Sequence, residues 1–265
     1  MKGLLITIRR WGNGKMQRNH AIFTRVRGFS MMLAIMVGFA LVSAPDARAE
    51  DGIALAIVYD TSGSMKESVP AGSGKYAPKY LIANKALSAI VDRINQFATN
   101  APANAPRKIE AGLYIFHDAS ATNVVPFGPF NPAAMHTWIK NFSQPTGATP
   151  LGNSINVASK AVLGSNLSRK HIVIVTDGNN TSGPKPEVVI PGIKKTAKGT
   201  SSDISFHFVA FDVDAKVFEP VKKLGATVVG AADAQQLSTQ LEFIFEKKIL
   251  LEDEEPARPA GQQPK

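Results

Sequence analysis

Apolar positions in this chain follow two spacings, and the two alternate. Ile53 to Tyr59 is continuously apolar, as a strand covered on both faces must be. Between Tyr76 and Asn100, residues Ala83, Leu87, Ile90, Ile94 and Phe97 step by fours and threes, which predicts one face of a helix. Prolines within Ala101 to Pro106 end it. Ile109–Phe116 then reads as a strand, and Ala121–Phe127 as another, at a sheet edge. Asn131 to Phe142 has helical spacing and opens on Asn-Pro, a cap followed by a first-turn proline. Gly152 to Leu163 is a further helix, ended by Gly164. His171–Thr176 contains a second continuous apolar run, Ile172 to Val175, with His171 expected at a surface edge. Pro186 to Lys198 is helical in pattern, and Pro191-Gly192 is expected to kink or split it. Ile204–Phe211 and Ala226–Val229 complete the strands, with a short helix near Ala215–Leu224 between them. Asp233 to Leu250 closes the pattern as a helix with Leu237, Leu241, Ile244, Phe245 and Ile249 on its inner face. Strands alternating with helices predict an α/β domain around a mostly parallel sheet, spanning residues 50–250.

The two ends fall outside that alternation. Arg25 and Arg27 precede twelve uninterrupted apolar residues, Met31 to Val42, and then Ala47-Arg48-Ala49. Positive charge, a short apolar core and an A-x-A site predict a signal peptide over residues 1–49, cleaved after Ala49. The run is shorter than the ~20 residues that a spanning helix needs, so cleavage is expected over an uncleaved inner-membrane anchor. The protein is then periplasmic or secreted, with no stable membrane span. From Glu252 the chain turns acidic and then rich in Pro, Gly and Gln, a composition expected to be disordered over 251–265.

Removing the leader changes the charge. It holds eight of the 30 Lys and Arg and one of the 21 acidic residues, so the remainder carries 22 bases and 20 acids. A net of +2 lacks the concentrated basic face that nucleic acid requires, and no nucleic-acid partner is expected. Cysteine is absent, which excludes disulfides, thiolate metal sites and cysteine nucleophiles.

The chemistry collects where apolar runs end. Asp60-Thr61-Ser62-Gly63-Ser64 follows the first buried strand and puts a carboxylate and two hydroxyls at alternate positions of a tight loop. Thr146-Gly147-Ala148-Thr149 and Thr176-Asp177-Gly178 are two more oxygen-bearing loops, the second again ending an apolar run. Hard oxygen donors of this kind suit a small divalent cation such as Mg²⁺. The pattern D-x-S-x-S, then a lone Thr, then a lone Asp resembles the metal-ion-dependent adhesion site of von Willebrand factor type A domains. Asp60, Ser62, Ser64, Thr149 and Asp177 match its five positions.

The resemblance covers nearly all of Asp51 to Leu250. It implies a doubly wound, mostly parallel central sheet with one antiparallel edge strand and helices on both faces. It also implies Mg²⁺ or Mn²⁺ held by those five residues, with His117, Asp118 and Gly178 at the rim or just behind the ligands. Two carboxylates among five donors leave the ion short of negative charge, and in the family a Glu or Asp of a protein partner supplies it. The expected function is an exported binding module, not an enzyme. The alternatives are a metal-dependent hydrolase and a scaffold in which the ion is only structural.

Other readings of these residues fit less well. A haloacid-dehalogenase-like phosphatase needs D-x-D, and the third position here is Ser62. An aspartic protease needs D-[ST]-G, and Asp60-Thr61-Ser62-Gly63 has one residue too many. Gly72-Ser73-Gly74-Lys75 lacks the upstream Gly and following hydroxyl of a phosphate loop and is expected to be a flexible insertion. No His-Asp pair is recognisably placed to activate Ser64 as a nucleophile. Glu67 to Pro78 and Gly178 to Lys185 lengthen two of the connections and are expected to surround the metal opening.

Overall fold

The computed structural model describes residues 49–102, 106–117, 119–200 and 202–251. The leader and the acidic tail therefore lie outside the described residues, save for Ala49 and Leu251. Among the described residues no helix is long and apolar enough to cross a membrane.

Six strands form one sheet: β1 (Glu50–Tyr59), β4 (Ile109–His117), β5 (Ser120–Pro129), β6 (Leu167–Thr176), β7 (Ser205–Phe211) and β8 (Thr227–Ala231). Their order is β5-β4-β1-β6-β7-β8, parallel throughout except that β5 runs antiparallel to β4 at one edge. The expected architecture is present. Helices α1 (Lys79–Thr99), α2 (Pro132–Asn141) and α6 (Ala234–Ile244) bury their apolar faces on one side of the sheet. Helices α3 (Leu151–Gly164), α4 (Pro186–Gly199) and α5 (Glu219–Lys223) do so on the other. The capping prediction also holds, for the Asn131 side chain accepts from the Ala134 backbone N–H at 2.9 Å.

The strand order reverses at β1. The chain leaves β1 through α1 to β4 on one side, and returns through α3 to β6 on the other. In open α/β sheets this reversal opens a crevice beyond the carboxyl ends of the adjacent strands. Tyr59 lies beside Val175 in the register, and the Asp60 N–H donates to Val175 O at 2.9 Å. Asp60 and Asp177 are thereby delivered to the same end of neighbouring strands.

Several local expectations are corrected. The insertion at Gly72 is an ordered hairpin, β2 (Ser68–Gly72) with β3 (Lys75–Pro78). Ser73 and Gly74 take φ of 50° and 72°, the left-handed pair that matches a tight hairpin turn to strand twist. Pro191 does not split α4. It lies close to the open first turn, where only one backbone bond is lost. His171 is not a surface residue: β6 starts at Leu167, so His171 falls inside the strand, is 1% exposed and stacks on His207 with ring centroids 5.5 Å apart. The closing helix is α-helical only to Ile244 and ends in a π-helical turn, Phe245–Leu250. Arg169 on β6 donates to Ile249 O in that turn at 3.1 Å.

Candidate metal centre

The first loop is folded by its own aspartate. Asp60 Oδ1 accepts from the Ser62 N–H at 2.7 Å, the usual way an aspartate closes a turn two residues on. Its Oδ2 accepts from the Thr176 hydroxyl at 2.6 Å, which ties the loop to the end of β6. Ser62 precedes a 3-10 turn, Gly63–Lys66, and this turn brings Ser64 back over Ser62. The two hydroxyl oxygens lie 3.0 Å apart, and the Ser64 hydroxyl donates to Asp177 Oδ1 at 2.8 Å.

Backbone contacts join the other loops. The Gly63 N–H donates to Gly147 O at 3.1 Å and the Thr146 N–H to Thr61 O at 2.7 Å. The Thr149 N–H donates to the Thr181 hydroxyl at 2.8 Å, and the Thr181 N–H returns to Thr149 O at 3.0 Å. Gly152, in the first turn of α3, is required by this closeness: a Cβ there would stand 2.1 Å from Pro184 O. Gly178 lies against Thr149, whose hydroxyl would be 3.9 Å from a Cβ on that glycine.

Asp60, Ser62, Thr149 and Asp177 are buried and Ser64 is half-buried, and the three loops that carry them are joined. His117 closes β4, next to Phe116, whose carbonyl accepts from the Thr61 hydroxyl at 3.3 Å. The His117 side chain and Asp118 lie outside the described residues.

Electrostatically the centre is short of positive charge. Burial first, and then the neighbouring Asp177 carboxylate, push the Asp60 acid from an ordinary 3.8 up to about 6, against hydrogen bonds from Ser62 and Thr176 that favour the anion. Burial, with Asp60 and Asp177 adding to it, likewise drives the Tyr59 phenol well above its usual range. A donor set of two close carboxylates and neutral hydroxyl oxygens fits a hard dication, which would relieve their repulsion. Among the described residues no group of three or more His, Cys, Asp or Glu forms a metal cage, so the hydroxyls are essential to any such site.

Sequence reasoning missed a cation. Lys79, the first residue of α1, is 3% exposed, and its ammonium stands 3.1 Å from Asp177 Oδ2, 2.9 Å from Glu67 Oε2 and 2.9 Å from Asp212 Oδ2. Burial favours the neutral amine, but the hydrogen bonds that the ammonium donates to Glu67, Asp212 and Asp177 outweigh this and hold its pKa above the usual range. One signal was available. A lysine at the positive end of a helix, with no acid in the first turn, is locally unfavourable and asks for partners from elsewhere. A His-Asp pair does occur, but away from Ser64: His136 bonds Asp92 Oδ1 at 2.9 Å and Ser88 Oγ at 3.0 Å, tying α2 to α1.

The family model described as von Willebrand factor type A domain matches residues 55–179. Comparison with curated protein sequences returns no match. Among solved structures, the D319A mutant of the PilB minor pilin from Streptococcus sanguinis is 15% identical with a TM-score of 0.55, covering 74% of this chain. This chain spans only 61% of that pilin's length. The VWA domain of SpRpn10 is 14% identical at a TM-score of 0.53, covering 73% of this chain and 95% of its own. The vWF domain of the type V pili tip protein Mfa5 from Porphyromonas gingivalis is 13% identical at 0.51, covering 73% and 94%. At these identities the likeness is one of fold. Family match and strand order agree, and both support a von Willebrand factor type A domain in this chain.

Proposed function

We propose that this chain is an exported, non-catalytic binding module that captures an Asp or Glu carboxylate of a partner protein in a metal-dependent manner. Asp60, Ser62, Ser64, Thr149 and Asp177 would hold Mg²⁺ or Mn²⁺. The ion supplies a Lewis-acidic position that an outside carboxylate can fill. The protein's own groups do the rest. Asp60 folds the first loop, and the Ser62–Ser64–Asp177 chain links hydroxyls of one loop to a carboxylate of another. The backbone bonds between loops keep the donors gathered before anything binds.

The observation that carries this reading is the pair of buried carboxylates, Asp60 and Asp177, each bonded to hydroxyls and brought together at the carboxyl ends of neighbouring strands. Export rests on the leader pattern at residues 1–49, with cleavage after Ala49. The non-catalytic reading rests on the company Ser64 keeps among the described residues: its hydroxyl meets Ser62 and the Asp177 carboxylate that is assigned to the metal, while the His136–Asp92 pair belongs to Ser88.

Calorimetric titration with Mg²⁺, alone and with an acidic peptide, tests the reading. Weak metal binding that strengthens with peptide is expected. Metal binding indifferent to peptide would make the ion structural only, and turnover of an ester or phosphate would make the chain a hydrolase.

A further inference from the structure

Lys79 has no role in the binding reading above, yet it is the most heavily paired side chain near the centre. Its three carboxylates come from three segments. Glu67 follows the 3-10 turn of the first loop, Asp177 follows β6, and Asp212 follows β7. Asp177 is divided between two claims, with Oδ1 accepting from Ser64 at 2.8 Å and Oδ2 from Lys79 at 3.1 Å. Only one oxygen therefore faces the hydroxyl donors. Asp212 reaches the ammonium from a left-handed backbone, φ 55°, which Asp and Asn tolerate better than other side-chain-bearing residues.

The partners differ in exposure. Glu67 and Asp212 have side chains 68% and 39% exposed, whereas those of Lys79 and Asp177 are 3% and 0% exposed. Water screens the first two charges more than the last two. Within the buried part of the centre the balance is thus Asp60 and Asp177 against Lys79, one net negative charge for a dication.

We propose that Lys79 is a specificity-determining residue: by holding Asp177 Oδ2 it offsets the charge the protein offers a bound dication and keeps that ion in need of an outside carboxylate. The inference rests on the metal reading given above. Without Lys79 the centre would gather negative charge from Asp177, Asp212 and Glu67, bind the ion more tightly and satisfy it internally. Selectivity for a partner would fall as metal affinity rose.

Lys79→Met, which keeps the chain length and removes the charge, should bind Mg²⁺ about tenfold tighter in calorimetry, given charges several ångströms apart in a partly buried site. It should also lose the strengthening that acetate, used as the carboxylate probe, gives the unaltered protein. Asp212→Asn should act in the opposite sense, leaving the ammonium to lean on Asp177 and weakening Mg²⁺ binding several-fold. Melting in EDTA records whether each variant is folded. A folded Lys79→Met protein with unchanged or weaker Mg²⁺ binding overturns the proposal. Should that variant not fold, Asp212→Asn decides alone, and unchanged or tighter binding there is equally fatal. If the unaltered protein binds no Mg²⁺, the metal reading itself falls, a result distinct from any shift between variants.

Discussion

Replacing Asp60 by Asn should make the metal-free protein more stable while abolishing its response to metal. The folded acid sits at about 6 against an ordinary 3.8, so between these values the folded state binds more protons than the unfolded one. Stability therefore falls as pH rises through this window, and the full penalty is present above it. A difference of about two units corresponds to about 3 kcal/mol. Asn keeps the Oδ1 acceptor for the Ser62 N–H, but its amide nitrogen now faces the Thr176 hydroxyl. That hydroxyl can turn to donate to Gly178 O, already 3.3 Å away, at a cost of about 1 kcal/mol for the exchanged bond. The net gain of about 2 kcal/mol should raise the melting temperature by about 4–8 °C for a domain of this size.

The assay is thermal denaturation followed by circular dichroism, in EDTA and in excess Mg²⁺, at pH values on both sides of the window. The gap between variant and unaltered protein should be greatest above about pH 6 and close toward about pH 4. Excess Mg²⁺ should stabilise only the unaltered protein, because it alone retains the second carboxylate. A variant less stable than its parent in EDTA near neutral pH, or a gap that ignores pH, would refute the reasoning.

Gly152→Ala should force Pro184 and the loop after Asp177 away, since the new Cβ would lie 2.1 Å from a carbonyl oxygen. A loss of about 1–3 kcal/mol in urea denaturation and a several-fold weaker Mg²⁺ response are expected. Tyr59→Phe removes a buried hydroxyl that donates to Asn84 Oδ1 at 2.8 Å and lies 3.1 Å from Tyr80 O. It should cost about 1–3 kcal/mol by chemical denaturation, because the Asn84 oxygen is left without its donor. Ala56→Leu places a longer side chain against α3 and should cost about 1–3 kcal/mol, with calorimetry showing weaker Mg²⁺ binding as the Thr149 loop shifts.

What could be read from the sequence is what local pattern encodes. β1 and β6 announce themselves as continuous apolar runs because both faces are covered, and each run ends in an aspartate. The Asn131 cap is legible because its partner is three residues away. What escaped depends on distant partners. Lys79 is explained by carboxylates 12, 98 and 133 positions away, and nothing in its own neighbourhood names them. His171 looked exposed because the apolar run begins after it, whereas the strand pairs it with Leu55 of β1 and Ser205 of β7, and its ring stacks on His207. The hairpin after the first loop was hidden by composition, since Gly, Ser and Pro mark a two-residue turn as readily as an unstructured insertion.

The same strand that ends in Asp60 also sets where the second loop can lie. On β1 the larger residues Ile53, Leu55, Ile57 and Tyr59 face α1, α2 and α6, while the smaller Ala54, Ala56 and Val58 face the α3 side. Short side chains let a helix approach a sheet closely, because interiors are packed without gaps. The helix that approaches is α3, through Leu151, Ile155 and Ala158, and Thr149 stands just before it. A glycine at position 152 then admits the Pro184 carbonyl, so the third loop folds down onto the start of the same helix. Two alanines in a strand and one glycine in a helix thus bring Thr149 toward Asp60 and Asp177, although none of the three bears an oxygen donor on its side chain. The centre is a consequence of side-chain size within the core as much as of the polar residues that line it.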